Sequence, residues 1–371
     1  MENYNNFTKH FFSLNSPEYR QLPHENISEI ILQNNTINPI IREVFEHLVN
    51  QCLREFNFLQ NPLSYEKYFA FYREVNRIIP KLKKKILIDD IYAPVFFVGD
   101  THGAIHESFL IIEFFYQILQ KNPNTKLIFV GDYVDRNPYD LENLTLIVAF
   151  YLLCPDNVVL IRGNHEDRII NENYGFFDNL LRAFWEKGEI LYEEILKFFT
   201  HLPIAHISQI HKDEQIARVL TVHGGIPINA YDFMTPLILS EIEPHLECEK
   251  PESNQMDPLT VSMLWSDPDE MIQEGILTGD HLNGRMQFGR RVFDEFMRAN
   301  DLHLVVRGHQ KWAEGFRIFF DGRLYSLFST ASYDGKVQFS PKILKLEFGK
   351  TPKLIAVTEE ELNSELQEIL L

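Results

Sequence analysis

Five short segments carry side chains suited to holding metal ions: Gly99-Asp100-Thr101-His102-Gly103, Gly131-Asp132-Tyr133-Val134-Asp135-Arg136, Gly163-Asn164-His165-Glu166, His223-Gly224-Gly225 and Arg307-Gly308-His309. Together they offer Asp100, His102, Asp132, Asn164, His223 and His309, a mixture of hard oxygens and imidazoles without thiolate. Such a set suits two divalent ions that share one carboxylate, and it favours manganese, iron or zinc over calcium. Two ions about 3.5–4 Å apart clamp a phosphoryl group and acidify a bridging water until hydroxide is available near neutral pH. The predicted chemistry is phosphoester hydrolysis by in-line attack.

Each residue type has a place in that chemistry. Asp132 is the predicted bridge, with Asp100 and His102 completing the ligands of one ion and Asn164, His223 and His309 those of the other. A leaving alkoxide needs a proton, and His165, adjacent to Asn164, is the predicted general acid. Asp135 is expected to orient that imidazole and raise its pKa through its charge. Arg136 presents a planar fork of donors suited to two phosphate oxygens, a geometry lysine lacks. An isolated Asp-x-His or His-Gly-Gly usually does no more than cap a helix or make a turn. The specificity lies in the ordered set, with Asp100, Asp132 and Asn164 spaced 32 residues apart, as successive strand-and-helix units would place them.

Each segment begins where an apolar, β-branched or aromatic run ends, which puts its ligands at a strand end, where open α/β sheets build their sites. Strands are predicted at 95–98, 127–130 and 158–161, separated by helices near 106–119 and 141–153, a pattern that builds a buried parallel sheet. Residues 171–201 are helical and aromatic and read as a cap beside the site. Strands 219–222 and 304–306 feed the two later histidine loops, and 325–328, 345–348 and 354–357 read as a second, more antiparallel set. The predicted fold is α/β, a sandwich of two mixed sheets flanked by helices, with a catalytic domain over 91–345. Ahead of it, 1–90 reads as a helical extension: helical spacing from Ile37 to Phe56, then a helix over 65–79 stopped by Pro80, both expected to pack on the catalytic domain. Residues 1 to about 35, polar and Asn-rich, read as an arm or a frayed end. The tail, 346–371, reads as a strand and a helix. Its capping-box pattern Thr358-Glu359-Glu360-Glu361 precedes an apolar face of Leu362, Leu366, Ile369 and Leu370, which either docks on its own domain or meets a partner.

With 45% apolar and 13% aromatic residues, including 30 Phe, the 371-residue chain has ample material for a buried core and is not a disordered protein. A balance of 35 Lys and Arg against 53 Asp and Glu gives a formal charge of −18, which argues against a nucleic-acid partner. The basic run from Lys81 to Lys85 reads as a solvated connector or a partner patch. Cys52, Cys154 and Cys248 form no Cys-x-x-Cys pair, so a reducing, cytoplasmic setting fits best. No apolar run approaches the roughly 20 residues of a transmembrane segment. No Cys-x5-Arg loop exists, which removes a cysteine-nucleophile mechanism.

Over roughly residues 91 to 345 the chain resembles the PPP family of metal-dependent Ser/Thr protein phosphatases, within the calcineurin-like metallophosphoesterases. Beyond the ligand loops, the resemblance includes Tyr174-Gly175-Phe176, Leu202-Pro203-Ile204-Ala205, Leu264-Trp265-Ser266-Asp267-Pro268 and Phe328-Ser329 followed by Tyr333. It implies the same six metal ligands, His165 as acid with Asp135 as its partner, and phosphate contacts from Arg136, Asn164 and Tyr333. Arg285 stands nearest the place of the family's second phosphate arginine, with shortened spacing to Phe288-Gly289, and Arg307 reads as support for its loop. The chain departs at Asn137, where the family usually has Gly, at Thr330-Ala331-Ser332 in place of Ala-Pro-Asn, and at Asp334 in place of Cys. These changes read as rim substitutions. The N-terminal addition and the Asn/Lys/Ile-rich style are similar to effector phosphatases that intracellular bacteria deliver into host cells, such as the Legionella Wip proteins. The implied activity is hydrolysis of phosphoserine and phosphothreonine with manganese, or iron or zinc. The alternatives are phosphotyrosine or a dinucleoside polyphosphate on the same fold, or a partner-binding effector that docks through its N-terminal or C-terminal helices with incidental catalysis.

Overall fold

The computed structural model describes residues 38–53, 62–79, 85–229, 232, 235–278 and 285–370. The expected N-terminal arm, Phe56, the basic positions 81–84 and the Leu370 side chain lie outside the described residues.

Helices α1 (Pro39–Leu53) and α2 (Tyr65–Ile78) come first, and Ser64 caps α2 by accepting from the Lys67 amide. They are followed by β1 (Ile86–Ile91), β2 (Val95–Val98), α3 (Ile105–Leu119), β3 (Lys126–Phe129), α4 (Asp140–Leu153) and β4 (Val158–Leu160). Three helices, α5 (Arg168–Tyr174), α6 (Phe176–Phe184) and α7 (Glu186–Phe199), then lead to the hairpin of β5 (Ala205–Lys212) and β6 (Gln215–Val222). Short helices α8 (Leu239–Ile242) and α9 (Pro258–Trp265) and strands β7 (Asp267–Pro268), β8 (Ile276–Thr278) and β9 (Met286–Phe288) precede α10 (Arg290–Ala299). The chain closes with β10 (Leu304–Arg307), β11 (Phe316–Phe319), β12 (Leu324–Leu327), the small hairpin of β13 (Ser332–Tyr333) and β14 (Lys336–Val337), then β15 (Lys342–Leu346), β16 (Lys353–Ala356) and α11 (Glu359–Leu370).

Two sheets face each other, one ordered β16-β15-β2-β3-β4 and the other β1-β5-β6-β10-β12-β11. Strand β2 reads Val-Phe-Phe-Val because both of its faces are covered. Phe96 and Val98 pack outward on the helices, whereas Val95 and Phe97 meet Val219, Val306 and Leu327 of the opposite sheet. The far face of the second sheet, with Leu220, Val305 and Leu324, is covered by Leu239, Met263 and Phe293 from α8, α9 and α10. Helices therefore sandwich two sheets, and the parallel order β2-β3-β4 lays the first three ligand loops side by side.

The last strands do not form one antiparallel set. Strands β15 and β16 extend the first sheet antiparallel beside β2, whereas β12 runs parallel to β10 in the second. Edge pairing over long sequence separation decides this, and local alternation does not encode it. Residue 90 falls inside β1, which pairs in parallel with β5 from Ile86 to Ile91. Helices α1 and α2 bury Phe45, Leu48, Phe71 and Tyr72 in the same core as α3 and α4, and the Tyr72 hydroxyl meets Thr145 at 3.1 Å. The C-terminal helix docks on its own domain: Thr358 accepts from the Glu361 amide, Leu362 and Leu366 are buried in that core, and Lys345 pairs with Glu365 at 2.8 Å. Among the described residues no helix is long and apolar enough to cross a membrane.

Candidate metal centre

The loops leaving β2, β3, β4, β6 and β10 turn sharply, and several residues sit in left-handed backbone: His102 (φ 40°), Asp132 (φ 57°), Asp135 (φ 68°), Arg136 (φ 76°) and His309 (φ 70°). Such conformations cost of order 1–3 kcal/mol each and persist where the surroundings over-determine them. Glu166 supplies much of that determination. Its buried carboxylate accepts from the amides of Asp132 (2.9 Å), Tyr133 (2.9 Å) and Gly163 (2.7 Å), tying the second loop to the third. Close approach dictates two glycines. A Cβ on Gly131, at φ 98°, would lie 2.4 Å from the Gly163 nitrogen, and one on Gly308 would lie 2.1 Å from Asp100 Oδ1.

Asp132 stands at the centre with one oxygen toward each of two groups of imidazoles. Its Oδ2 lies 3.4 Å from His102 Nε2, and its Oδ1 lies 3.2 Å from His223 Nε2. Asp100 Oδ2 is 3.9 Å from the same His102 nitrogen. Asn164 Oδ1 lies 2.7 Å from His223 Nε2 and 2.8 Å from His309 Nδ1. The Val134 carbonyl accepts from His102 Nδ1 and the Val130 carbonyl from His223 Nδ1, which aims the other nitrogen of each ring at Asp132. A bare nitrogen lone pair facing an oxygen at 2.7 Å repels it unless a proton or a cation lies between them.

Two buried atoms reinforce that fit: among the described residues Asp100 Oδ2 and His309 Nε2 have no hydrogen-bond partner. Ligand atoms at right angles about 2.1 Å from a common ion lie about 3 Å apart, and the closest of these contacts match that spacing. The electrostatics agree. Burial, with the charge of Asp132, lifts the Asp100 carboxyl to about 7. Burial lowers His102 to about 3 against the attraction of Asp132. Burial also disfavours charge on His223, yet Asp132 outweighs it and raises that imidazole to about 9. The carboxylates and imidazoles crowded here without solvent suit divalent cations, and the groups His102-Asp132-His165 and Asp132-His223-His309 each converge closely enough to hold one.

Beside this cluster, His165 Nδ1 lies 2.8 Å from Asp135 Oδ2, and its Nε2 faces Asp132 at 4.0 Å. Burial works against the imidazolium of His165, but Asp132 and Asp135 prevail and raise its pKa. Asp135 is itself fixed by Asn171 Nδ2 (2.8 Å) and the Phe176 amide (2.9 Å) from the aromatic cap. The Arg136 guanidinium lies over two rings, 3.9 Å from the centre of Tyr174 and 4.9 Å from that of Tyr333, and its Nε is buried without a partner among the described residues. A guanidinium held by two rings with its Nε left unpaired suits an incoming anion.

Residues 93–312 match the profile of the calcineurin-like phosphoesterases. The chain is 32% identical over 256 residues to a serine/threonine-protein phosphatase 6 catalytic subunit from Caenorhabditis elegans, covering 69% of this chain and 70% of that protein. It is 31% identical over 274 residues to the PP2A-like phosphatase PPG1 of Saccharomyces cerevisiae, covering 71% of this chain and 69% of that one. The chain belongs to the PPP family of calcineurin-like phosphoesterases. A solved S. cerevisiae serine/threonine phosphatase with similarity to human phosphatase PP5 shares the fold at TM-score 0.65 and 21% identity, over 84% of this chain and 95% of that one.

In this PPP-family chain all six candidate ligands, His165, Asp135, Arg136 and Tyr333 meet at one end of the sandwich. Arg285 lies further out, more than half exposed and facing Asp267 at 3.7 Å, although its charge still acts on His309. Arg307 is fully buried, donating to Asp267 (2.9 Å), Gln310 (2.7 Å) and the Gly224 carbonyl, and so ties the His223 and His309 loops to the Trp-Ser-Asp-Pro segment. Asn137 is no rim residue. It is buried, donating to the carbonyls of His102 (2.7 Å) and Ser332 (2.9 Å), because its amide spans a gap that Gly would leave open. Sequence reasoning gave Glu166 and Asn171 no role. Glu166 stood in a quoted motif, so a carboxylate directly after two site residues was the available signal, whereas Asn171 in a helical run had none.

Proposed function

We propose that this PPP-family protein is a phosphoprotein phosphatase acting on phosphoserine and phosphothreonine with two divalent ions, manganese first among them. The ions would be held by Asp100, His102, Asp132, Asn164, His223 and His309. One observation carries the reading: the Asp132 carboxylate turns one oxygen to His102 and the other to His223, the disposition of a bridging ligand. When bound, the ions neutralise phosphoryl charge and make the attacking water acidic enough to react near neutrality. The chain's own residues do the rest. Arg136, with Asn164 and Tyr333, orients the phosphate. His165, whose Nδ1 is engaged by Asp135, presents Nε2 to the leaving seryl oxygen and gives it a proton as the bond to phosphorus breaks.

His165→Ala tests the acid. The maximal rate on a phosphoserine peptide is expected to fall about 10²- to 10⁴-fold. The loss on p-nitrophenyl phosphate, whose leaving group needs little protonation, is expected to be far smaller; equal losses would remove the role. Peptides carrying phosphoserine, phosphothreonine or phosphotyrosine, assayed beside diadenosine tetraphosphate, test the substrate, and turnover confined to the last two would replace the reading. Reconstitution with manganese, iron or zinc ranks the metals by rate.

The three unpaired cysteines, Cys52, Cys154 and Cys248, suit a reducing interior, as an effector delivered into a host cytoplasm would meet. Helices α1, α2 and α11 each bury one face in the core, so a targeting role would use their outer faces or residues 1–37 ahead of them. Deleting those residues is expected to spare turnover of a small phosphoester and lower turnover of a protein substrate.

A further inference from the structure

Strands β13 and β14 are joined by Asp334-Gly335, both at positive φ (51° and 73°), a tight two-residue turn that lifts Tyr333 to the edge of the candidate metal centre. The Tyr333 ring lies 5.2 Å from His102. Two cations lie over that ring, the Arg136 guanidinium and the Lys311 ammonium, each 4.9 Å from its centre. Tyr333 pairs directly across the hairpin with Lys336, so the two side chains share one face. Arg136 has a carboxylate neighbour, Asp334, at 3.4 Å. Among the described residues neither Lys311 nor Lys336 pairs with an acid, although the chain holds 53 acids against 35 bases. Lys311 and Lys336 are thus two ammonium groups without an acidic partner beside the candidate metal centre, on a hairpin whose turn carries Asp334.

We propose that Lys311 and Lys336, arrayed around Tyr333, bind a second anionic group of the substrate next to the scissile phosphate, so that the enzyme selects phosphopeptides with an acidic or phosphorylated neighbour. Arg136 lies nearest the metal ligands and is taken by the scissile phosphate, which leaves the two lysines facing the flanking residues. Tyr333 holds Lys311 in place through the ring face, limiting the freedom a surface lysine would otherwise lose on binding. Asn137, by gripping the Ser332 carbonyl and accepting from the Ser332 hydroxyl at 3.2 Å, keeps the hairpin at a set distance from the His102 loop. The contact is made away from the reacting atoms, so it acts on KM and leaves kcat nearly alone.

This inference rests on the phosphoprotein phosphatase reading, and the two fail differently. The experiment compares kcat/KM for three phosphoserine peptides that differ only at the flanking positions: aspartates, a non-hydrolysable phosphonate side chain, or asparagines. Wild-type enzyme is expected to favour the charged peptides, and the ratio of charged to neutral should fall as salt is raised. Lys311→Ala should reduce that ratio roughly twofold to fivefold, the worth of one exposed charge pair. Lys311→Arg should retain it, Lys336→Ala should reduce it less, and Lys311→Glu should invert it. A gain with either anion supports the proposal, and which one gains more identifies the flanking group as carboxylate or phosphate. A ratio near one in the wild type, or one unchanged in Lys311→Glu, overturns this proposal and leaves the phosphatase reading standing. No turnover of any phosphopeptide, with hydrolysis of a small phosphoester intact, overturns both.

Discussion

The loops that carry the candidate ligands and the hairpin that carries Tyr333 lie side by side, yet they are held in different ways. The ligand loops are buried, strained and multiply tied: five residues at positive φ, three amides on one Glu166 carboxylate, and a Gly308 with no room for a methyl group. The hairpin is half-exposed, and it is held by hydrogen bonds of Ser332 with Thr330 and Asn137 and by contacts of the Tyr333 ring with His102, Phe328, Phe339, Arg136 and Lys311. A site that must place donors to a fraction of an ångström is over-determined, whereas the part that meets a variable substrate is anchored by contacts that can be exchanged one at a time.

Three substitutions would break or sharpen the contrast. The largest effect is expected from Asp132→Asn, which removes the charge that faces both imidazole groups. Turnover should fall at least about a thousandfold, the several kcal/mol that metal ions contribute at the transition state, and metal analysis of the purified variant should show fewer than two ions. A variant with full metal content and near-normal rate would show that Asp132 is not the bridge. Glu166→Gln comes next, because an amide cannot accept three backbone N–H groups without turning a donor on one of them. Stability in urea should drop by about 1–3 kcal/mol, and metal affinity by about 10- to 100-fold, with the ligands themselves untouched. The smallest effect belongs to the hairpin. Asn137→Gly should lower stability by about 1–2 kcal/mol through the lost hydrogen bonds and raise KM for a phosphopeptide severalfold while kcat changes little. A collapse of kcat in that variant would mean that the hairpin belongs with the ligand loops.

Strands β2, β3 and β4 and helices α3 and α4 were legible to within a residue or two, because each combines an apolar run with a turn-forming glycine loop or a helical apolar face. The helix cap at Thr358 followed equally from local chemistry. Legibility ended where partners lie far apart in sequence. Nothing in Lys342–Leu346 says that it runs antiparallel beside β2, and nothing in Leu324–Leu327 says that it runs parallel beside β10. Arg285 stood nearest the expected position despite its shortened spacing, and its guanidinium faces Asp267. Asn137 looked like a surface exchange, and its burial came from two loops closing over it.

The sequence by itself determined the reaction class and offered the candidate ligands, because hard-oxygen and imidazole donors at successive strand ends have few other uses and their order follows the strand order. Tertiary structure alone decided which Asp132 oxygen faces which imidazole, how His165 is aimed by Asp135, and which cations surround Tyr333. Those are matters of distance and direction between residues up to two hundred positions apart, and they exist only once two sheets have packed and closed the loops upon one another.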